Sequence, residues 1–187
     1  FDGVPGLSVG ISAVGFLALG VFGLIRQEVA WEAGLTDFLY TSFYLAGICG
    51  GAFLFYWTGR IVLGDTGAQV LGFLLAVLSI FAGTKIATTL LVLGIPILDA
   101  FFVVFRRIFL EKKSPFQGDV RHLHHNIARR IGDQRTALLL VILSALMGGI
   151  GIFLTGMRKI SAFIIVAFFI FLPVSYTHLR AHETRFY

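Results

Sequence analysis

Three histidines fall within four residues, His122-Leu123-His124-His125, with Asp119 three positions ahead of the first and Arg121 beside it. On a helix, Asp119, His122 and His125 recur at i, i+3, i+6 and share a face, with Arg129 one turn on and His124 turned elsewhere. Imidazole and guanidinium groups gathered at a surface suit a diphosphate, because both donate hydrogen bonds and carry positive charge. A transition-metal centre is the rival reading, since histidine is the commonest ligand. Neither Cys nor Glu joins the cluster, however, and Arg121 would repel a cation. A basic loop resting on anionic lipid is the plainest alternative.

Three further clusters carry chemistry. In Gly64-Asp65-Thr66-Gly67-Ala68 an Asp stands between glycines. Such a carboxylate can reach Mg²⁺, which takes few protein oxygens and fills its shell with water and phosphate. The glycines let backbone approach a phosphate closely. Asp65 as the cap of the next helix is the structural alternative. Asp99 sits inside the apolar Pro96-Ile97-Leu98-Asp99-Ala100. A carboxylate near the centre of a membrane helix costs about 2.5–3.5 kcal/mol on insertion scales, so such residues face a bundle interior and a partner. Arg106 or Arg107, about two turns on, is the expected partner, with a role in the catalytic site as the alternative. Last, Asp2-Gly3-Val4-Pro5-Gly6-Leu7 has the turn-forming Asp-Gly and Pro-Gly pairs of a loop entering a helix.

What must position these groups is a membrane bundle. Of 187 residues, 57% are hydrophobic and only 13% charged, against about 25% charged in ordinary soluble domains. Mean hydropathy is +0.90. This composition excludes a disordered chain and a nucleic-acid-binding module, and it calls for a bilayer. The single Cys49 excludes an internal disulfide. Apolar runs of about 20 residues span a membrane, and six are expected, at 7–25, 38–57, 68–83, 86–108, 137–155 and 160–174. The runs are continuous rather than alternating, so helices are expected and strands are not. The fold class is therefore an all-α integral membrane protein, a polytopic bundle of about six transmembrane helices. Gly10, Gly15, Gly20, Gly148, Gly149 and Gly151 suit close helix packing.

Charge sets the sides. Between Arg106 and Arg135 stand eight basic and three acidic residues, a surplus of five that equals the net charge of the whole chain. Positive loops stay in the cytoplasm. Alternating outward from this one puts loop 58–69 and the N-terminal segment on the same side, and the acidic loop Arg26 to Asp37 on the other. Asp2-Gly3, Asp65 and the histidines thus share the cytoplasmic face, as one site open to cytoplasmic solutes beside lipid.

Together these pieces resemble the polyprenyl-phosphate N-acetylhexosamine-1-phosphate transferase family, from Phe1 to about Pro173. Asp2-Gly3-Val4-Pro5-Gly6-Leu7 is similar to its D-G-x-D-G-L loop, and Leu63-Gly64-Asp65-Thr66-Gly67-Ala68 to F-L-G-D-x-G-S. Pro96-Ile97-Leu98-Asp99 with Arg106-Arg107 is similar to a P-I-x-D helix with trailing arginines. Ser114-Pro115-Phe116, Asp119 and His122-Leu123-His124-His125 resemble S-P-F-x-x-D-x-x-H-x-H-H. The resemblance implies transfer of a sugar-1-phosphate, N-acetylhexosamine-1-phosphate by the His-x-His-His pattern, from a UDP-sugar to polyprenyl (undecaprenyl) phosphate, releasing UMP, in cell-envelope glycan synthesis. It implies Mg²⁺, with Mn²⁺ as an alternative, and leaves a homodimer open. By the same resemblance Asp65 holds the metal, and His122, His124 and His125 hold the diphosphate with Arg121 assisting. Asp2, Gly3, Asp99 and Asp119 join substrate binding, and the protein is a multi-pass protein of the inner (plasma) membrane.

The departures are Pro5 in place of the family's second Asp, and Thr58-Gly59-Arg60 in place of P-A-K. The family's paired Asp motif belongs upstream of Phe1, so a polypeptide of these residues alone is expected to be inactive. Residues 1–174 then read as the C-terminal part of one transmembrane catalytic domain with cytoplasmic loops 58–69 and 109–136. The polar stretch 175–187 reads as a non-native, adapter-like tail. Two other classes stay in view. A secondary transporter would show repeats and broken helices at the midplane, and a non-catalytic scaffold would tolerate changes at Asp65 and the histidines.

Overall fold

The structure is a computed structural model that describes residues 3–25, 36–58, 63–81, 86–105, 107–108 and 122–154, with Arg158, Ser161 and Ile164. Among the described residues every regular element is a helix and there is no strand. The helices are α1 (Leu7–Ile25), α2 (Thr36–Tyr56), α3 (Gly64–Phe81), α4 (Ile86–Val92), α5 (Gly94–Phe105), α6 (Leu123–Ile131) and α7 (Asp133–Phe153). Helices α1, α2 and α7 are long and apolar enough to cross a membrane, and α3 and α5 are shorter apolar helices. The chain is a multi-pass membrane protein.

α1 is apolar all round, and a helix of that kind must be enclosed on every side. It is: 61% of its spanning stretch is buried within the protein, against 22% for α2. One side, through Val9, Phe16 and Leu19, packs on Phe38, Leu39 and Cys49 of α2 and on Leu75 and Leu78 of α3. The other, through Leu7, Ile11 and Ala18, packs on Val92 of α4, Ile95 of α5 and Ala137 and Leu140 of α7. Close approach depends on glycine, as expected. A Cβ on Gly10 would lie 2.6 Å from Val141 and 2.9 Å from the Phe53 ring, and one on Gly15 would lie 2.8 Å from Leu75. Gly20 faces Phe43, Gly148 faces Val92 and Gly151 faces Leu91, whereas Gly149 faces open space. The outward side of α2 shows Tyr40, Tyr44, Ile48, Leu54 and Phe55, all exposed, as a surface lying against acyl chains should.

The expected span over 86–108 is two helices with a break at Leu93. Pro96 is the cause. It has no N–H to offer the Val92 carbonyl, and its ring crowds that position. The ladder resumes at once, since Leu93 N donates to Thr89 O and Ile97 N to Leu93 O, both at 2.9 Å. The 20 residues Ile86–Phe105 still reach about 30 Å at 1.5 Å per residue, one bilayer core.

The expected loops are shorter than read. α3 already begins at Gly64, and the stretch taken as loop 109–136 contains α6 and the start of α7. Residues 59–62 and 109–121, the sixth expected span at 160–174 apart from Ser161 and Ile164, and the tail at 175–187 lie outside the described residues.

Candidate functional site

Asp99, on α5, is 2% exposed. A carboxylate that gives up water must be repaid by hydrogen bonds and charge. Its partners come from the residues that open α6. Leu123 N donates to Oδ1 at 2.7 Å, and His124 Nδ1 donates to Oδ2 at 3.1 Å. His122 Nδ1 is 3.3 Å from that same Oδ2. This is an ion-pair distance without hydrogen-bond geometry, and the His122 nitrogen is itself buried. Among the described residues the Asp99 carboxylate is held by two histidines and a backbone amide, and Arg106, one of its two expected partners, lies outside them. The signal was divided between two motifs 23 residues apart, and only the tertiary fold unites them.

His122 and His125 do not share a helix, and Asp119, the third residue expected on that face, lies outside the described residues. His122 is the extended residue just before α6, with φ −63° and ψ 150°, so His122 lies outside the helix. That lets its ring turn with His124 toward Asp99. The rings of His122 and His124 are stacked at 5.3 Å between centroids, and His124 and His125 lie 4.4 Å apart. Burial separates their roles. His124 is buried, while His122 is 29% exposed and His125 is half-buried.

The N-terminal loop closes on this cluster. A Cβ on Gly3 would strike the His125 ring, lying 2.6 Å from Nε2. Three residues on, Gly6 takes φ +80° against Phe53 and the Trp57 backbone. Gln134, at the start of α7, donates from Nε2 to Trp57 O at 3.1 Å. The loop at Gly3, the end of α2, the start of α7 and the histidines therefore meet at one end of the bundle, where charge patterning had placed them together.

Asp65 is exposed in the first turn of α3, just after Gly64, whose φ of +74° favours glycine. It is one residue inside the helix rather than its cap, where a carboxylate favours the positive end of the helix dipole. It is not part of the one group of three metal-ligating side chains among the described residues, Asp99, His122 and His124, whose ligand atoms lie within 4.8 Å of one another. The expected site residues Asp2, Asp119 and Arg121 lie outside the described residues.

The surroundings of His125 disfavour its protonated form. Burial holds its pKa below the ordinary 6.5, with the neighbouring positive charges of His124, His122 and Arg129 adding to that direction. The donor sets also differ in kind. Asp65 offers exposed carboxylate oxygen, which fits a hard ion such as Mg²⁺ with its waters. The Asp99 group is enclosed and rich in imidazole, and its carboxylate is already engaged, which does not fit Mg²⁺.

Residues 1–83 match the family model of glycosyl transferase family 4. The chain is 30% identical to a probable undecaprenyl-phosphate N-acetylglucosaminyl 1-phosphate transferase of Bacillus subtilis, over 92% of this chain and 49% of that protein. It is 29% identical to the undecaprenyl-phosphate alpha-N-acetylglucosaminyl 1-phosphate transferase of Yersinia pestis, over 96% of this chain and 51% of that protein. The Escherichia coli K12 protein of the same description is 29% identical over 81% of this chain and 42% of its own length. The chain thus spans about half the length of the curated relatives it matches. No solved structure matches it. Over residues 1–83 the chain is thus similar to glycosyl transferase family 4, and over most of its length to these transferases.

Proposed function

We propose that this chain is part of a membrane enzyme that transfers N-acetylglucosamine-1-phosphate, or a close relative, from a UDP-sugar to undecaprenyl phosphate. The observation that carries the reading is the histidine cluster. It is anchored on a buried carboxylate and closed over by the Gly3 loop, at one end of a membrane bundle related to such transferases.

In the proposed reaction an oxygen of the lipid phosphate attacks the phosphorus that bears the sugar. The new P–O bond joins lipid to sugar phosphate, and the bond to the uridylyl phosphate breaks, releasing UMP. Positioning and charge neutralisation carry most of such catalysis. His122 and His125, the less buried histidines, offer N–H donors to the diphosphate, while His124 stands behind them. Arg121 adds charge beside them, and Asp2 with Gly3 helps seat the nucleotide. Asp65 would hold Mg²⁺, which supplies charge neutralisation on the diphosphate. The charge asymmetry supports a cytoplasmic position for this end of the bundle, at the plasma membrane.

The test is UMP release by the membrane-reconstituted full-length protein that contains this chain, from UDP-N-acetylglucosamine with undecaprenyl phosphate and Mg²⁺. Asp65→Asn and His125→Ala should each lower turnover by about 10²-fold or more, the scale of losing one preorganised charge-stabilising group. Wild-type rates in both variants would sink the assignment.

A further inference from the structure

We propose that Asp99 is a positioning residue rather than a ligand for substrate or metal. Its buried carboxylate fixes which histidine nitrogens carry protons, and it moors the N-terminus of α6. The inference rests on the transferase reading for its functional meaning, but its geometry stands by itself.

Both oxygens of Asp99 are occupied: Oδ1 by the Leu123 amide at 2.7 Å, and Oδ2 by His124 Nδ1 at 3.1 Å with His122 Nδ1 at 3.3 Å. A carboxylate only accepts, so the imidazole nitrogen bonded to it must carry a proton. That orients the ring and leaves Nε2 as its other functional atom, the logic by which carboxylates orient imidazoles elsewhere. A phosphate oxygen also only accepts. A histidine whose Nδ1 proton is spent on Asp99 therefore meets phosphate as a donor only as imidazolium, and the Asp99 charge offsets that positive charge inside the protein. His124 is too buried to be the main ligand contact. It transmits the constraint instead, stacked on His122 at 5.3 Å and packed at a tilt against His125 at 4.4 Å. The Leu123 bond fixes the first turn of α6, from which all three rings project or to which they adjoin. Asp99 thus ties a membrane helix to a surface helix through the group that would touch the ligand.

A transition metal bound by Asp99, His122 and His124 is the competing use of the same atoms. The hydrogen-bond distances and the amide on Oδ1 favour positioning.

The experiment is ¹⁵N NMR of histidine-labelled, membrane-reconstituted protein, combined with UDP titration and metal analysis. In wild type, Nδ1 of His124 should be protonated. In Asp99→Asn the amide oxygen still accepts from Leu123 while its NH₂ faces His124. The Nδ1 proton should then be lost to the Nε2–H tautomer, and UDP affinity should fall about tenfold or more, as expected for losing a charge-assisted hydrogen bond. Unchanged Nδ1 protonation with UDP affinity within twofold of wild type would overturn the proposal. So would one equivalent of transition metal in wild type that Asp99→Asn loses. A wild type that binds neither UDP nor UDP-sugar would defeat the transferase reading instead, leaving the tautomer result to decide the positioning role.

Should Asp99→Asn fail to fold, Leu123→Pro removes only the amide. Proline is accepted at the first helical position, and His122 already has the extended backbone that must precede it. It should keep the His124 Nδ1 proton while weakening UDP binding several-fold, and unchanged binding would refute the mooring.

Discussion

Gly3→Ala tests whether the N-terminal loop and the histidines form one site. The added Cβ would lie 2.6 Å from His125 Nε2 and 3.3 Å from Nδ1. Ordinary carbon contacts begin near 3.5 Å, so ring and loop must part by about 1 Å. A misplacement of that size costs a reaction dependent on orientation about 10²-fold. Gly3 is exposed and lies outside the helices, so stability should barely change. Turnover in the UMP-release assay should therefore drop by one to two orders of magnitude, with the thermal midpoint in detergent held. Gly47→Ala, at a helix position with open space around it, is the control and should leave turnover unchanged and the midpoint no lower. If Gly3→Ala kept activity within twofold of wild type, the loop would not be a wall of the site, and the convergence argued from Gly3 and His125 would fail.

Two other outcomes follow from packing and charge. Gly10→Ala pushes a Cβ into Val141 and Phe53 and should destabilise by up to about 2 kcal/mol, overpacking of about 1–3 kcal/mol less the roughly 1 kcal/mol of helix propensity gained; Gly50→Ala, with open space around it, should stabilise slightly, and equal unfolding midpoints for the two would refute the packing account. His125 should titrate below 6.5 by NMR, because burial disfavours its charge. Its folded pKa is depressed, so the unfolded chain binds the proton more readily, and this contribution to stability is present above about pH 6.5 and lost as pH falls through the folded pKa. Arg129→Gln, which removes one of the repelling charges, should move the His125 midpoint up, and a downward shift would contradict the stated cause.

The bundle was readable because bilayer length, apolar runs and glycine spacing each act along one stretch of chain. The break at Leu93 was readable too, in principle, since Pro96 stands inside the span. The charge surplus around the histidines placed the right groups at one end. The histidine partners of Asp99 were hidden for a physical reason. Sequence distance favoured the arginines about two turns along its own helix, whereas the carboxylate is paired by residues that return from beyond them. The face expected for His122 and His125 failed similarly. Helical spacing assumes that the helix includes both, and α6 starts one residue too late. The depth of His124 against the exposure of His122 had no local signature at all.

The double burial of α1 bears on how the protein is made. Its face toward α2 and α3 can be covered soon after synthesis, but its face toward α7 cannot. About 126 positions separate Ile11 from Ala137, and at ribosomal rates of 5–20 residues per second that is roughly 6–25 s. Through that interval the close-packing surface of α1 meets only lipid or whatever holds nascent helices in the membrane. Gly10, which later admits Val141, leaves a recess in that surface with little at this point for a wrong partner to grip. The helix is thus suited to waiting, and assembly is completed by the arrival of α7, the same element whose first turn reaches back to Trp57 beside the histidines.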